Sequence, residues 1–292
     1  MPSPSPDRPL ERRLELVRQA MADGLSRTPL APVFAQSRNV LGAGKMLRAR
    51  LTLRVGEAAG TDGRTLVNAA AAVEMIHAAS LLHDDVIDSG YLRRGAPTFW
   101  VERGVPGAIL LGDLLLFKAL DLVEAVEGGR LMPVLIRLAG EVCQAESEQE
   151  LVLRGQAADW DTCLRIARQK TGALFALAAV AAAGREPAQG EALLEAGYEV
   201  GTAYQLADDI LDANGDAGDA GKTLGTDRTR NKLSAAGARP PGLDPADFAE
   251  GLCESAARRL APWPAIRGAW DAYLDADFRP ALHKLLRCPS ST

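Results

Sequence analysis

An all-α fold is the prediction from this sequence, on three observations. Apolar residues recur every three or four positions through nearly every long segment, which is the helical period. Helix formers, Ala and Leu above all, fill those segments, while aromatic residues make up only 5%. Runs in which β-branched and polar residues alternate are almost absent. A chain of 292 residues, 47% hydrophobic and 24% charged, can bury a substantial core as one large domain or two small ones. The length of the helical segments favours one packed bundle.

The opening MPSPSPDRPL lacks the charged-then-apolar layout of a signal peptide, and residues 1–9 are expected to form a disordered tail. Leu14, Leu16, Val17, Met21 and Leu25 then make Leu10 to Leu25 a first amphipathic helix. Gly42-Ala43-Gly44 breaks the pattern, and Lys45 to Ala59 resumes it. A further helix is expected from Thr65 through Asp88, ending before Gly90 and a loop at Arg93-Arg94-Gly95-Ala96-Pro97. Gly107 to Val123, Met132 to Arg154, Trp160 to Ala183 and Glu191 to Asp212 each have the length and period of long helices. A Gly/Asp loop follows at 214–221 and a Pro/Gly break at 237–245. Two helices close the chain, Pro245 to Leu260 and Pro264 to Leu286, the second opening on a proline suited to the first helical position.

The net charge, 33 minus 38 or −5, carries no general electrostatic footprint for nucleic acid. Cys143, Cys163, Cys253 and Cys288 show no paired spacing, which predicts reduced thiols in a cytoplasmic protein and no zinc site. The longest uncharged apolar run, Ala173 to Ala183, is well short of the ~20 residues that cross a bilayer, so no membrane span is expected.

Chemistry concentrates in two copies of Asp-Asp-x-x-Asp: Asp84, Asp85, Asp88 and Asp208, Asp209, Asp212. On a helix Asp84 and Asp88 lie about 40° apart, with His77 within about 20° of that stripe, and Gln205, Asp209 and Asp212 align in the same way. A single Asp-rich helix end is most often a solvated face or a cap. Here Leu81, Leu82, Val86, Ile87, Leu206, Ile210 and Leu211 indicate that the other faces are buried, and the crowded like charge needs a partner. Divalent oxygen-preferring cations holding a polyphosphate answer that need. Cations stand in separate places: Lys45 and Arg48 at a helix start where free N–H groups favour an anion, then Arg93-Arg94, Lys170-Thr171, Lys222 and Lys232. Any of these alone reads as a surface charge.

In order and spacing, GKMLR at 44–48, IHAASLLHDDVIDSGYLRRGAPT at 76–98, ILLGD at 109–113, KTGALF at 170–175, YQLADDILD at 204–212 and GKTLGTDRTRNK at 221–232 resemble the trans-isoprenyl diphosphate synthase, or polyprenyl synthetase, family. The resemblance covers about residues 40–235. It implies a single-domain bundle of long helices around a central cavity and Mg²⁺-dependent head-to-tail (1′-4) condensation of isopentenyl diphosphate with an allylic diphosphate. By the resemblance Lys45, Arg48, His77 and Arg94 hold the isopentenyl diphosphate. Arg93, Lys170, Thr171, Gln205, Lys222 and Lys232 contact the allylic diphosphate, Lys170 and Lys222 also assisting catalysis. Asp84, Asp88 and Asp208 are the main Mg²⁺ ligands, with Asp85, Asp209 and Asp212 in support, and three ions are expected with the allylic substrate bound. Gly112-Asp113 is read as a structural helix contact. A homodimer is implied in the same way.

In that family the side chains four and five places before the first acidic motif can form a floor for the growing chain. Here they are Ser80 and Ala79, both small, which implies products of C20 or longer, as does the two-residue spacing between Asp85 and Asp88. The chain departs from the pattern at Ala49, where proline is usual, and at Asn231-Lys232 in place of Gly-Lys. The 60 residues after Lys232 also imply a shortened C-terminal region. Two alternatives stay open: an accessory or regulatory subunit of a prenyl synthase, and a class I terpene cyclase, against which the second Asp-rich motif and the Lys45, Arg48, His77 set speak.

Overall fold

Leu10, Leu14, Val17, Met21 and Leu25 form one buried stripe, and around it the chain winds its first helix, α1 (Arg8–Ser26). The structure, a computed structural model, describes residues 8–36, 44–124, 129–156, 159–214 and 235–286. A short helix that the sequence did not announce follows, α2 (Ala31–Gln36), and then α3 (Leu47–Ala58).

The bundle is organised on α4 (Gly63–Ile87), whose alanines at 69–72 are fully buried and let neighbouring helices approach from several sides. Asp62 caps it by accepting the Thr65 N–H at 2.9 Å, and it stops where Asp88 closes the last turn and Ser89 turns left-handed at φ 53°. By length and composition α4 is also the one described helix apolar enough to cross a membrane, yet 67% of that stretch is buried within the protein.

The expected loop at 93–97 is a two-stranded antiparallel ribbon, β1 (Leu92–Arg93) and β2 (Ala96–Pro97), with Arg93 opposite Ala96. Arg94 and Gly95 between them have φ 55° and 74°, the positive values that tight hairpin turns require at both central positions. Two-residue strands are too short to leave a period in the sequence.

Helix α5 (Phe99–Glu124) starts earlier than Gly107 because a first turn precedes a break at Gly104, φ 76° and ψ 163°, just before Pro106. It packs along α4, and α6 (Leu131–Leu151) follows. The predicted Trp160–Ala183 helix is α7 (Trp160–Ala167), a wider π turn at Arg168–Gly172, and α8 (Ala173–Ala182). Helix α9 (Pro187–Asn214) lies so close along this unit that a Cβ on Gly201 would stand 2.5 Å from Gly172 Cα. A short α10 (Ala235–Ala238) precedes α11 (Pro245–Arg259), whose cap Asp244 accepts the Ala246 N–H at 2.7 Å. The last predicted helix is α12 (Pro264–Tyr273), a second π turn at Leu274–Phe278, and α13 (Arg279–Leu286). Among the described residues, Phe175, Trp270, Tyr273 and Phe278 are the largest fully buried side chains. Asp277 joins this end of the chain to α3 through Arg50 at 3.1 Å and Arg54 at 2.7 Å.

Candidate active site

A cavity of about 1330 Å³ opens where the C-terminal ends of α4 and α9 meet the start of α3, the hairpin, α6, the first π turn and α13. It gathers Lys45, Arg48, His77, Asp84, Asp85, Asp88, Arg93, Arg94, Lys170, Thr171, Gln205, Asp208, Asp209 and Asp212 in one lining. Lys222 and Lys232 lie outside the described residues.

Both acidic motifs reach the cavity because each ends a long helix whose other faces are packed. Their members have unequal surroundings. Asp85 is buried and locked to Arg93, whose Nε and Nη2 donate to Asp85 Oδ1 at 2.9 and 2.7 Å. Burial raises the Asp85 pKa against the pull of Arg93. Burial also works against the Arg93 charge, but the bonds to Asp85 and the fields of Asp84 and Asp208 prevail and raise its pKa. In the second motif Asp209 accepts Gln205 Nε2 at 2.7 Å and the Ala235 N–H at 3.0 Å. Its pKa is pushed up to about 6, chiefly by burial, with Asp208 adding to the effect. Gln205 in turn accepts from the Thr171 hydroxyl, so the π turn and α9 share one hydrogen-bonded line.

Lys170 pairs with Glu146 at 2.5 Å and donates to Gln149 at 3.2 Å. Burial would lower its pKa, but Glu146, Asp84 and Asp88 raise it, so the ammonium stays charged. Among the described residues no group of three or more carboxylate, His or Cys side chains is close enough to hold a metal ion by itself. The donor set nonetheless fits Mg²⁺: hard carboxylate oxygens spread over two helix ends of one cavity suit a cation that completes its shell with water and phosphate. Asp84, Asp88, Asp208 and Asp212 are the residues that would hold it.

The cationic end is built on strained backbone. Gly44 has φ 125°, Met46 φ 49° and Arg94 φ 55°. A Cβ on Gly44 would come within 2.6 Å of Arg94 Nη2, so only glycine lets the Arg94 side chain lie there. Arg48 is 8% exposed, its Cζ 4.5 Å from the centre of the Phe175 ring. His77 is held well below the usual imidazole pKa by burial and then by Arg48, Arg93 and Arg94, so it is neutral at pH 7. Lys45 is lowered by burial and by Lys284, a residue of α13 that also lines the cavity. Gly112 meets the expected close helix contact: a Cβ there would lie 2.2 Å from His83 Nε2.

Several lining residues were not singled out from sequence. Glu74 lies one turn before His77 on the same stripe and could have been found by extending it. Tyr204 adjoins Gln205 within the motif at 204–212, whereas Glu146 and Lys284 arrive from other parts of the chain and leave no local signal. Ser80 lines the cavity, while Ala79 is fully buried and does not.

Comparison with known proteins gives matches over most of the chain. Residues 34–238, more than half of the chain, match the polyprenyl synthetase family. The chain is 33% identical over 196 residues to octaprenyl diphosphate synthase of Haemophilus influenzae, a match covering 66% of this chain and 60% of that protein, under two thirds of its length. Farnesyl diphosphate synthase of Geobacillus stearothermophilus is 34% identical over 257 residues, covering 79% and 86%. Among solved structures, a polyprenyl synthase of Caulobacter crescentus complexed with calcium and isoprenyl diphosphate superposes with a TM-score of 0.73 at 30% identity, covering 96% of this chain and 94% of that one.

Proposed function

The chain belongs to the polyprenyl synthetase family, and on that premise we propose that it condenses isopentenyl diphosphate head-to-tail (1′-4) with an allylic diphosphate to give a longer trans-polyprenyl diphosphate. The observation that carries the proposal is the asymmetry of the cavity. One end has two carboxylate motifs with Lys170, and the other has Lys45, Arg48, Arg94 and a neutral His77. Two diphosphates, one bound with metal and one by cations alone, fit those two ends.

In this reading Lys170 and Thr171, with Arg93 and Gln205, bind the allylic diphosphate, and Asp84, Asp88, Asp208 and Asp212 would hold Mg²⁺, with Asp85 and Asp209 in support. Lys222 and Lys232 join them on family grounds. Mg²⁺, when bound, would neutralise charge on the leaving diphosphate. The allylic C–O bond breaks with its electron pair leaving on the diphosphate, and Lys170 stabilises that developing charge. The double bond of isopentenyl diphosphate, whose diphosphate is held by Lys45, Arg48, His77 and Arg94, then attacks the allylic carbon. The resulting cation loses a proton, which the released diphosphate accepts. Leu47, Leu81, Ile87, Val142 and Leu174 on the cavity wall help keep water from the cation.

The small Ser80 on the lining supports products of C20 or longer. A homodimer is supported by apolar side chains exposed on α5, with Leu110 and Phe117 at 68% and 67%. The free thiols of Cys143, Cys163 and Cys253 accord with a cytoplasmic protein.

The test is incubation of the purified chain with radiolabelled isopentenyl diphosphate and each allylic primer, with Mg²⁺ and after chelation, followed by product chromatography. Elongated products that need both substrates and the metal are expected. Consumption of the allylic diphosphate alone would mean a cyclase, and inertness with every primer, coupled with a changed product length from a partner synthase, an accessory subunit.

A further inference from the structure

We propose that Glu74 is the positioning carboxylate of the cationic end of the cavity: from α4 it ties down the first turn of α3 and holds Arg48 and Arg94 toward an incoming diphosphate. The proposal rests on the functional reading above and assigns a role to a residue outside the two acidic motifs.

Glu74 is 7% exposed and lines the cavity. Its Oε1 accepts the Ala49 N–H at 3.0 Å. That N–H belongs to the first turn of α3, where helix geometry leaves donors without internal partners. Among the described residues, Glu74 is the carboxylate whose field does most to favour the charge on both Arg48 and Arg94, although the three residues come from three elements. Burial disfavours the charge on each of them, and their mutual attraction is what opposes it. Arg48 also points to a ligand independently, because its buried Nε has no hydrogen-bond partner among the described residues. A buried donor left open in this way is costly unless something binds there.

A carboxylate beside an anion site works against the anion by simple charge. If Glu74 instead aims the guanidinium groups, removing its charge weakens diphosphate binding. The two views predict opposite signs.

Glu74→Gln keeps the shape and can still accept the Ala49 N–H while losing the charge, and Glu74→Asp restores the charge on a shorter side chain. The full chain and both variants are compared by kinetics and by calorimetric titration of the metal-free protein with inorganic pyrophosphate. The expected result for Glu74→Gln is about a tenfold rise in KM for isopentenyl diphosphate, with KM for the allylic substrate unchanged, and about tenfold weaker pyrophosphate binding. Glu74→Asp should recover part of both. Unchanged or tighter binding in Glu74→Gln overturns the proposal, as does wild-type protein that binds no pyrophosphate. If Glu74→Gln does not fold, Glu74→Asp decides: an isopentenyl KM equal to wild type overturns the proposal and a selective rise supports it. Wild-type protein that binds pyrophosphate but turns over neither substrate would refute the functional reading alone, since the titration still tests Glu74.

Discussion

Replacing Gly201 by alanine tests how the two halves of the site are held together. A Cβ at 201 would lie 2.5 Å from Gly172 Cα and 3.0 Å from both Gly172 N and Phe175 Cδ2. Ordinary carbon contacts are about 3.5–4 Å, so α9 must retreat from the π turn by roughly 1 Å. The closest atom, Gly172 Cα, is backbone, so no side-chain rotation relieves that contact. Alanine gains about 1 kcal/mol in helix propensity, against about 1–3 kcal/mol for overpacking, so a net loss is expected. The larger effect falls on activity. Gln205 sits one turn beyond Gly201 and links Thr171 to Asp209, and that line cannot span an added ångström. Misplacement on that scale costs about 10²-fold in rate. Urea denaturation and kcat/KM measure the two consequences. Gly268→Ala is the control, since a Cβ there meets nothing within 4 Å, and it should stabilise by about 0.4–1 kcal/mol. A Gly201→Ala protein with wild-type midpoint and wild-type turnover would refute the close-approach argument.

Other expectations can be checked directly. Asp84→Ala or Asp208→Ala should lower turnover by about 10³-fold while the circular dichroism and melting of the metal-free protein stay near wild type; near-normal turnover would remove these residues from the metal set. Ser80→Phe should shorten the product seen by chromatography, whereas Ala79→Phe forces a ring into packed core and should cost about 1–3 kcal/mol in denaturant titrations. The thiols of Cys163 and Cys253 are each raised from 9.0 to about 12, chiefly by burial. Both should resist iodoacetamide at pH 8 in the folded chain and react in denaturant, as read by mass spectrometry. Because the unfolded thiols ionise first, their contribution to stability is present below pH 9.0 and is lost as pH rises toward 12.

Long helices were legible because burial on one face writes a 3.6-residue period into the chain, as the stripe from Leu10 to Leu25 does. The π turns at 168–172 and 274–278 were not, since they use the same residue types as the helices they interrupt. Gly104 hid the first turn of α5 by imitating a helix boundary. At the site, residues within one motif were found by angle and order, and the structure brings the described ones to one cavity. Partnerships across the chain were beyond such reasoning. Nothing near Lys170 announces Glu146, and nothing near Asp85 says that Arg93 occupies it. Spacing counts also could not separate Ser80 from Ala79, which adjoin in sequence but face cavity and core.

The contact of α13 with the cavity bears on how the protein is handled at the bench. Pro280, His283, Lys284 and Leu285 line the chamber, and Asp277 anchors the preceding turn to Arg50 and Arg54. Truncation into α13 would remove part of the cavity wall. Affinity handles therefore belong at the other end, ahead of α1, and kinetic constants from C-terminally tagged protein should be compared with those of the cleaved chain.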